Sequence, residues 1–564
     1  MCMKKRNIIL GLLSLLLVGC NTPKEDYHMI RLENDFKIET DTIDVLKLDI
    51  NDCQEGVVSA RVLQGVINKE KVRVYYYDYR EFTRKLNLGD ARFDILDTAG
   101  LNYNYLTLDN KSSHSGYTAF WTLFNKYKDE IENIYVYESY SENPIVSDSM
   151  NVAAMLAGRN HGVAVDNTLY EALVAEGYTK NRKVVNVVKQ FGFADENSPF
   201  YSNFGINKWI SQYMIEGSNK EFLFLLSTSP RDPESSEAGY HTAYDYAVAT
   251  DSLIYCINPL LDAQVKLQAT ILSQFPDNAY VIGWPGINME ATYVKTVSKC
   301  GKCVVCADWS YANGSVFAAF DKYTNDKVIY PKTDNEEVYK DKVYISLTLS
   351  DGDAWHYMTR EFLAYFSSPI RGSIPIGWEV SSLFSYVNPL FLKYFYDNAT
   401  ENDEIMQGVG GITYIQPSNY PDDAYQGYLL NTKQIFTENN ISSVNFWDEN
   451  NGSYAKDSQR IIDYCNVVNP NAMVLGHAET TNDYYIINDT VCMNCMGYEH
   501  FRGTQNCEEV VANVDKAIAH TPSGQPVFAN INIEAWGQGV STVQEAYDEL
   551  TCREDGYKYE FVLP

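Results

Sequence analysis

Positive charge is what this 564-residue chain has least of: 45 Lys+Arg stand against 74 Asp+Glu, a formal net charge of −29. The deficit argues against nucleic acid, because phosphate binding needs a basic stripe that releases counterions. It argues equally against adhesion to anionic lipid headgroups through a polybasic surface. A P-loop and a Gly-x-Gly-x-x-Gly fingerprint are also missing, and the turn Gly283-Trp284-Pro285-Gly286 is not a phosphate cradle. Nothing in these patterns calls for a cofactor. After the N-terminal segment no apolar run is long enough to cross a bilayer, which takes about 20 residues. Wholesale disorder is excluded too, since 45% of the residues are hydrophobic and large cores are affordable.

What the chain has in excess is aromatic side chains with a polar handle, 44 Tyr and 8 Trp. Such groups suit surfaces that are half apolar and half wet, sugar platforms among them, and they also fill cores. The N-terminus carries Lys4, Lys5 and Arg6, then the short apolar run Ile8 to Val18, then Gly19 and Cys20. This resembles a bacterial lipoprotein signal, cut before a cysteine that takes the lipid. It implies a signal over 1–19, lipidation of Cys20, and a cell-envelope protein that meets the membrane only through that anchor. Of the other cysteines, Cys300, Cys303 and Cys306 and the pair Cys492 and Cys495 have metal-ligand spacing. The stretch 302–309 reads as a strand, where Cys303 and Cys306 face opposite sides, so buried thiols or a disulfide or two are expected rather than zinc.

From residue 44 strand and helix patterns alternate, which predicts parallel sheets covered by helices. The reading is a tether over 20–42, three small Rossmann-like α/β domains over 43–110, 111–195 and 196–335, and a C-terminal domain over 336–564. In the last segment eight strand candidates alternate with helices: 343–349, 374–378, 411–416, 443–447, 473–476, 485–487, 527–533 and 559–563. That number in about 225 residues predicts a (β/α)8 TIM-barrel-like domain, whose chemistry belongs at the C-terminal ends of its strands.

Those ends carry acids. Asp351 and Asp353 follow the first strand, Glu379 the second, Asp448 the fourth, His477 the fifth and Glu534 the seventh, while Gln416 ends the third. Trp355, Trp378, Trp447 and Trp536 lie beside them. Carboxylates ringed by flat aromatic faces are what glycoside hydrolysis needs: one acid protonates the leaving oxygen, another attacks the sugar or activates water. By analogy with barrel glycosidases, Asp448 is expected as acid/base and Glu534 as nucleophile, with Asp353 as the substitute acid. Asp351, Glu379, Tyr414, Gln416, His477 and the four tryptophans are expected to bind substrate.

Three ordered motifs sharpen this. Val343-Tyr344-Ile345-Ser346-Leu347-Thr348-Leu349-Ser350-Asp351-Gly352-Asp353, Pro375-Ile376-Gly377-Trp378 and Gly411-Ile412-Thr413-Tyr414-Ile415-Gln416-Pro417 resemble the GxGYxYP family of secreted bacterial glycoside hydrolases. Leu63-Gln64-Gly65-Val66-Ile67-Asn68 and Asp245-Tyr246-Ala247-Val248 resemble its N-terminal regions. The resemblance implies several small α/β domains before a barrel-like one. Thr413 and Gln416 stand where the naming motif has its second glycine and second tyrosine, and Ala354 where an Asn is expected.

Two other readings compete. One is a surface glycan-binding lipoprotein with the same aromatic cleft and no competent acid pair. The other is a deacetylase-like hydrolase with a divalent ion on Asp351, Asp353 and His356.

Overall fold

The computed structural model describes residues 38, 42–47, 51–77, 91–229, 243–285, 289–307, 311–326, 338–448, 456–476, 483–496, 503–537 and 539–564. Cys20, the signal and His477 lie outside them.

Four sheets follow one another along the chain. The first is β2-β1-β3, from β1 (Thr42–Lys47), β2 (Val74–Tyr77) and β3 (Asn102–Tyr105). The second is β5-β4-β6, from β4 (Asn133–Val136), β5 (Gly162–Val165) and β6 (Lys183–Asn186). The third is β10-β9-β7-β8, from β7 (Phe222–Leu225), β8 (Leu253–Tyr255), β9 (Tyr280–Ile282) and β10 (Cys303–Val305). All the pairings within these three sheets are parallel. This is the outcome expected of strands separated by helices, because parallel neighbours need a crossover.

The helix Gln54–Asn68 shows how the first three sheets share one interior. It is buried continuously from Gly56 to Asn68, and a helix wrapped on all sides must find partners for whatever polar groups it carries. Arg61 Nη1 donates to Gln64 Oε1 at 3.2 Å and to Asn313 Oδ1 at 3.1 Å. Its guanidinium lies 4.3 Å from the centre of the Tyr76 ring. Gln64 donates to Asn313 Oδ1 at 2.8 Å, and Asn68 to Ser315 Oγ at 3.0 Å. Ser315 in turn donates through its hydroxyl and its backbone N–H to Asp245 Oδ2, at 2.7 and 2.9 Å. Gly65 lets the helix Tyr244–Ala249 approach: a Cβ there would meet the Asp245 carbonyl oxygen at 2.6 Å. The N-terminal motif residues Gln64, Gly65, Asn68 and Asp245 therefore form a structural joint.

The C-terminal segment holds a nine-stranded sheet: β11 (Lys342–Leu349), β12 (Ile376–Val380), β13 (Asp403–Gln407), β14 (Ser443–Phe446), β15 (Ala472–Leu475), β16 (Tyr484–Ile487), β17 (Thr490–Asn494), β18 (Val527–Ile533) and β19 (Lys558–Val562). Its order is β16-β17-β15-β14-β13-β12-β11-β18, and β19 also pairs with β11. All pairings are parallel except β16 with β17. The sheet curls as a half-barrel rather than repeating eight strand–helix units. Strand β19 runs beside β11 at residues 342–346, and β12 joins the same strand only at Thr348 and Leu349. On the far side, isolated bridges Met496–Ile531 and Thr504–Ile533 run to β18.

One strand expectation needs correction. Residues 411–416 form a loop, and the strand is β13 at Asp403–Gln407. Its pattern hid it, because Asp403, Glu404 and Gln407 are all buried and each is hydrogen-bonded inside the fold. Charged residues on both faces do not read as a strand until their partners are known. Among the described residues ten cysteines are free, Cys303 and Cys306 included, and Cys465 and Cys492 stand 3.9 Å apart, sulfur to sulfur, without a disulfide.

Candidate active site

Strand alternation turns Ser346 and Thr348 of β11, Glu379 of β12, Asn445 of β14 and Asn530 and Asn532 of β18 to one polar face. The contacts Ser346 Oγ to Asn530 Oδ1 at 3.0 Å and Asn445 Nδ2 to Glu379 Oε1 at 2.8 Å bind it together. Carboxylates gather where this face opens: Asp351 and Asp353 after β11, Glu534 after β18, and Glu379 as the penultimate residue of β12.

Asp351 sits just past β11 with φ +70°, a conformation that non-glycine residues adopt at a cost. Its backbone oxygen accepts from the Ala354 N–H at 3.0 Å, closing the turn. The intervening Gly352 is required, because a Cβ there would lie 2.3 Å from the Glu379 backbone. The turn thus brings the Asp351–Asp353 segment against the end of β12. Trp536 Nε1 donates to Asp351 Oδ2. Burial pushes the Asp351 carboxyl up to about 6, with the Glu534 charge adding to it and the Trp536 and Ser350 hydrogen bonds opposing. Burial also holds Asp353 well above the usual carboxylate range, reinforced by Asp351 and Glu290.

Glu379 is 0% exposed; Oε1 accepts from Asn445, and Oε2 has no hydrogen-bond partner. Burial is the main cause of its strongly raised pKa, and the charges of Asp351 and Asp353 push the same way. Glu534 follows β18, its backbone N–H donating to the Thr504 oxygen at 2.9 Å and its side chain accepting from Gln505 Nε2. Asp351, Asp353, Glu379, Glu534 and Glu290 thus feel one another electrostatically.

The other expected residues divide. Trp536 is 43% exposed, and its ring stacks 5.7 Å from that of His356. Trp355 and Trp378 are core residues instead: Trp355 donates to Ser381 Oγ at 3.2 Å, and Trp378, 0% exposed, donates to Asp403 Oδ1 at 2.9 Å. Neither offers a face to a ligand; their neighbours Phe384, Phe362 and Phe366 take those faces. Trp447 and Tyr414 lie together at 5.6 Å, both nearly buried. Gln416 is a docking residue rather than the end of a strand: its N–H donates to Ser298 Oγ at 2.9 Å and Nε2 to the Ala291 oxygen at 3.3 Å. Asp448 accepts from the Ser418 N–H and hydroxyl, both at 2.8 Å, one on each carboxylate oxygen.

Residues that the strand-end reading passed over complete the site. Glu290 begins the helix Glu290–Lys299 and accepts from the Tyr414 hydroxyl at 3.1 Å. Tyr414 itself is bridged by backbone hydrogen bonds to Val304 of β10, and Ala354 pairs with Cys306. The third sheet therefore borders the mouth of the fourth. No sequence signal marks Glu290, since only the fold brings it to Asp353. Thr413 is absent from the left-handed backbone positions, which fall at Gly410 (φ +86°) and Gly411 (φ +142°), so the substitution at 413 leaves this turn intact. Among the described residues no group of three or more His, Cys, Asp and Glu is arranged to hold a metal ion.

Comparison with known proteins agrees with this architecture. Residues 341–564 match the model described as "GxGYxYP putative glycoside hydrolase C-terminal domain", and residues 226–319 match that of the "GxGYxYP third domain". A crystal structure described as "a putative hydrolase from Bacteroides thetaiotaomicron VPI-5482" is similar over 93% of both chains, with a TM-score of 0.70 and 18% identity, a likeness of fold. A comparison with curated proteins finds no match. With both matched segments together spanning more than half of its residues, the chain belongs to the GxGYxYP family.

Proposed function

We propose that this protein is a glycoside hydrolase whose working acids are Asp351 and Glu534, acting on an oligo- or polysaccharide at the mouth of the curled sheet. The observation that carries the reading is the crowding of carboxylates at the C-terminal ends of β11, β12 and β18, with an exposed indole bonded to one of them. A carboxyl held near 6 keeps its proton in mildly acidic surroundings and is suited to protonate a leaving oxygen. Glu534, oriented by Gln505, is the partner that attacks the sugar or draws a proton from water. Trp536 offers the flat apolar face on which a pyranose ring stacks. Glu379, uncharged in its buried setting, donates from its free oxygen to a sugar hydroxyl or to Asp353.

This reading moves the acid role from Asp448 to Asp351. Both oxygens of Asp448 are engaged by Ser418, where the carboxylate anchors the turn Pro417–Asn419. Incubation with glycan mixtures, followed by an assay for new reducing ends, tests the proposal. Glu534→Gln and Asp351→Asn should each lower turnover by about 10³-fold or more, whereas Asp448→Asn should keep most of it. Binding without turnover by the unaltered protein would overturn the hydrolase in favour of a glycan-binding protein. The anomer released, followed by NMR, separates retention (carboxyls about 5–5.5 Å apart) from inversion (about 6.5–9.5 Å).

The N-terminal pattern supports a cell-envelope location for this activity, tethered through a lipid on Cys20; no described helix is long and apolar enough to cross a membrane. Cys20→Ala should release the protein from the membrane fraction.

A further inference from the structure

A second cleft, of about 290 Å³, opens at the C-terminal ends of β7, β8 and β9. Its position has a topological cause. In the order β10-β9-β7-β8 the chain leaves β7 toward one edge and leaves β9 toward the other, so the loops part between these neighbours. Crevices that receive ligands form at such switch points, outside the carboxyl ends of the strands.

The lining sets the ligand chemistry. One wall is apolar, from Phe204, Leu225, Ile257, Pro285 and Met289. The remainder is hydroxyls and amides around one acid, Asp148. Thr228 Oγ1 and Asn207 Nδ2 donate to its two oxygens, each at 2.6 Å. That carboxyl is already satisfied, and burial raises it to about 6, so it is a weak magnet for a cation. None of the lining side chains is a lysine, arginine or histidine, and the nearby Lys208 lies against the Phe204 ring, 4.4 Å from its centre. A phosphate or carboxylate group would have no charge partner there. Cys256, beside Asp148, is held protonated by burial and is no nucleophile. Gln264 Oε1 accepts from the Asn258 backbone N–H at 2.6 Å, and Asn258 Oδ1 accepts from the Leu260 N–H at 2.9 Å, so both side chains are held by an oxygen and keep an amide nitrogen to offer a ligand.

We propose that this cleft is a binding site for an uncharged monosaccharide unit, its hydroxyls met by the Gln264 and Asn258 side-chain amides and its apolar face laid on the Ile257–Met289 wall. An uncharged ring with one apolar face and a rim of hydroxyls matches both halves of the lining, and the volume is at the small end of the range for ligand sites. The inference does not rest on the hydrolase reading. It does tie the two regions together, since Met289 lines this cleft and the next residue, Glu290, bears on Asp353.

Saturation-transfer NMR on the full-length protein provides the test, with D-glucose, D-galactose, D-mannose, D-xylose and N-acetyl-D-glucosamine, each up to about 20 mM, beyond the millimolar affinity expected of a few hydrogen bonds. At least one sugar should bind. Gln264→Leu and Phe204→Ala, checked by thermal melting for an intact fold, should each weaken it by about tenfold, and Glu534→Gln should leave it unchanged. If Gln264→Leu fails to fold, Phe204→Ala decides. No binding by any of the sugars would overturn the proposal, as would binding indifferent to both cleft variants or displaced by inorganic phosphate or putrescine.

Discussion

Around the helix Gln54–Asn68, unlike groups meet: a guanidinium faces amide oxygens and a tyrosine ring, and hydroxyl and N–H groups face the Asp245 carboxylate. At the mouth of the curled sheet, carboxylate faces carboxylate, and Glu379 keeps one oxygen with no partner in the interior. Both regions bury ionisable groups. The first surrounds them with groups of opposite character, although burial still raises the Asp245 carboxyl; the second sets like against like. The second works against folding, and such strain persists where chemistry needs perturbed acids.

Substitutions break this contrast in opposite directions. Arg61→Ala should be the most damaging to stability, costing about 3–5 kcal/mol by stranding Asp245 and Asn313 in the interior, measured by denaturant unfolding. Gly65→Ala should cost about 1–3 kcal/mol, since the added methyl would press on the Asp245 carbonyl and Val248; it should leave any hydrolytic activity of the folded fraction unchanged. Glu379→Gln, by contrast, should stabilise the protein by about 1 kcal/mol while lowering activity, because the amide keeps its shape and removes a crowded acid. A destabilised Glu379→Gln protein would show that the cluster is not under electrostatic strain.

The smallest effect is pH-dependent. Asp351 and Asp148 are raised to about 6 and Glu404 to about 7, each chiefly by burial. Between the ordinary carboxylate pKa and these values the folded protein holds more protons than the unfolded chain, so stability falls as pH rises through that window. The melting temperature should be a few degrees higher near pH 5 than near pH 8. Asp351→Asn should shrink the difference. In stronger acid Glu130, held below its usual range by Arg73, loses that pairing and the trend reverses.

Much of the scaffold was readable before any coordinates. The strand expected at 527–533 is β18, and that at 343–349 is β11 with one residue added, because an apolar residue at every second position identifies a half-buried strand. β13 was missed for the opposite reason, its acids being inside. In the candidate site, Asp351, Asp353, Glu534 and Trp536 are legible from their position after strands, whereas Glu379, expected after its strand, lies inside the end of β12. Asp448 occupies an equivalent position yet anchors a turn, a difference that depends on Ser418 and not on anything in Asp448 itself. Trp355 and Trp378 also follow or end strands, but each is turned into the core by a hydrogen bond from its indole nitrogen. Glu290 was invisible, since it is more than 60 residues from any acid it faces.

The backbone bridges from β10 to Tyr414 and from Cys306 to Ala354 decide how this protein can be dissected. The segment 341–564, taken alone, would lose one side of its own mouth: Glu290 would be gone, Tyr414 would have no strand edge to lie on, and Gln416 would have nothing to grip. A fragment meant to keep this mouth intact must therefore carry the third sheet together with the curled sheet.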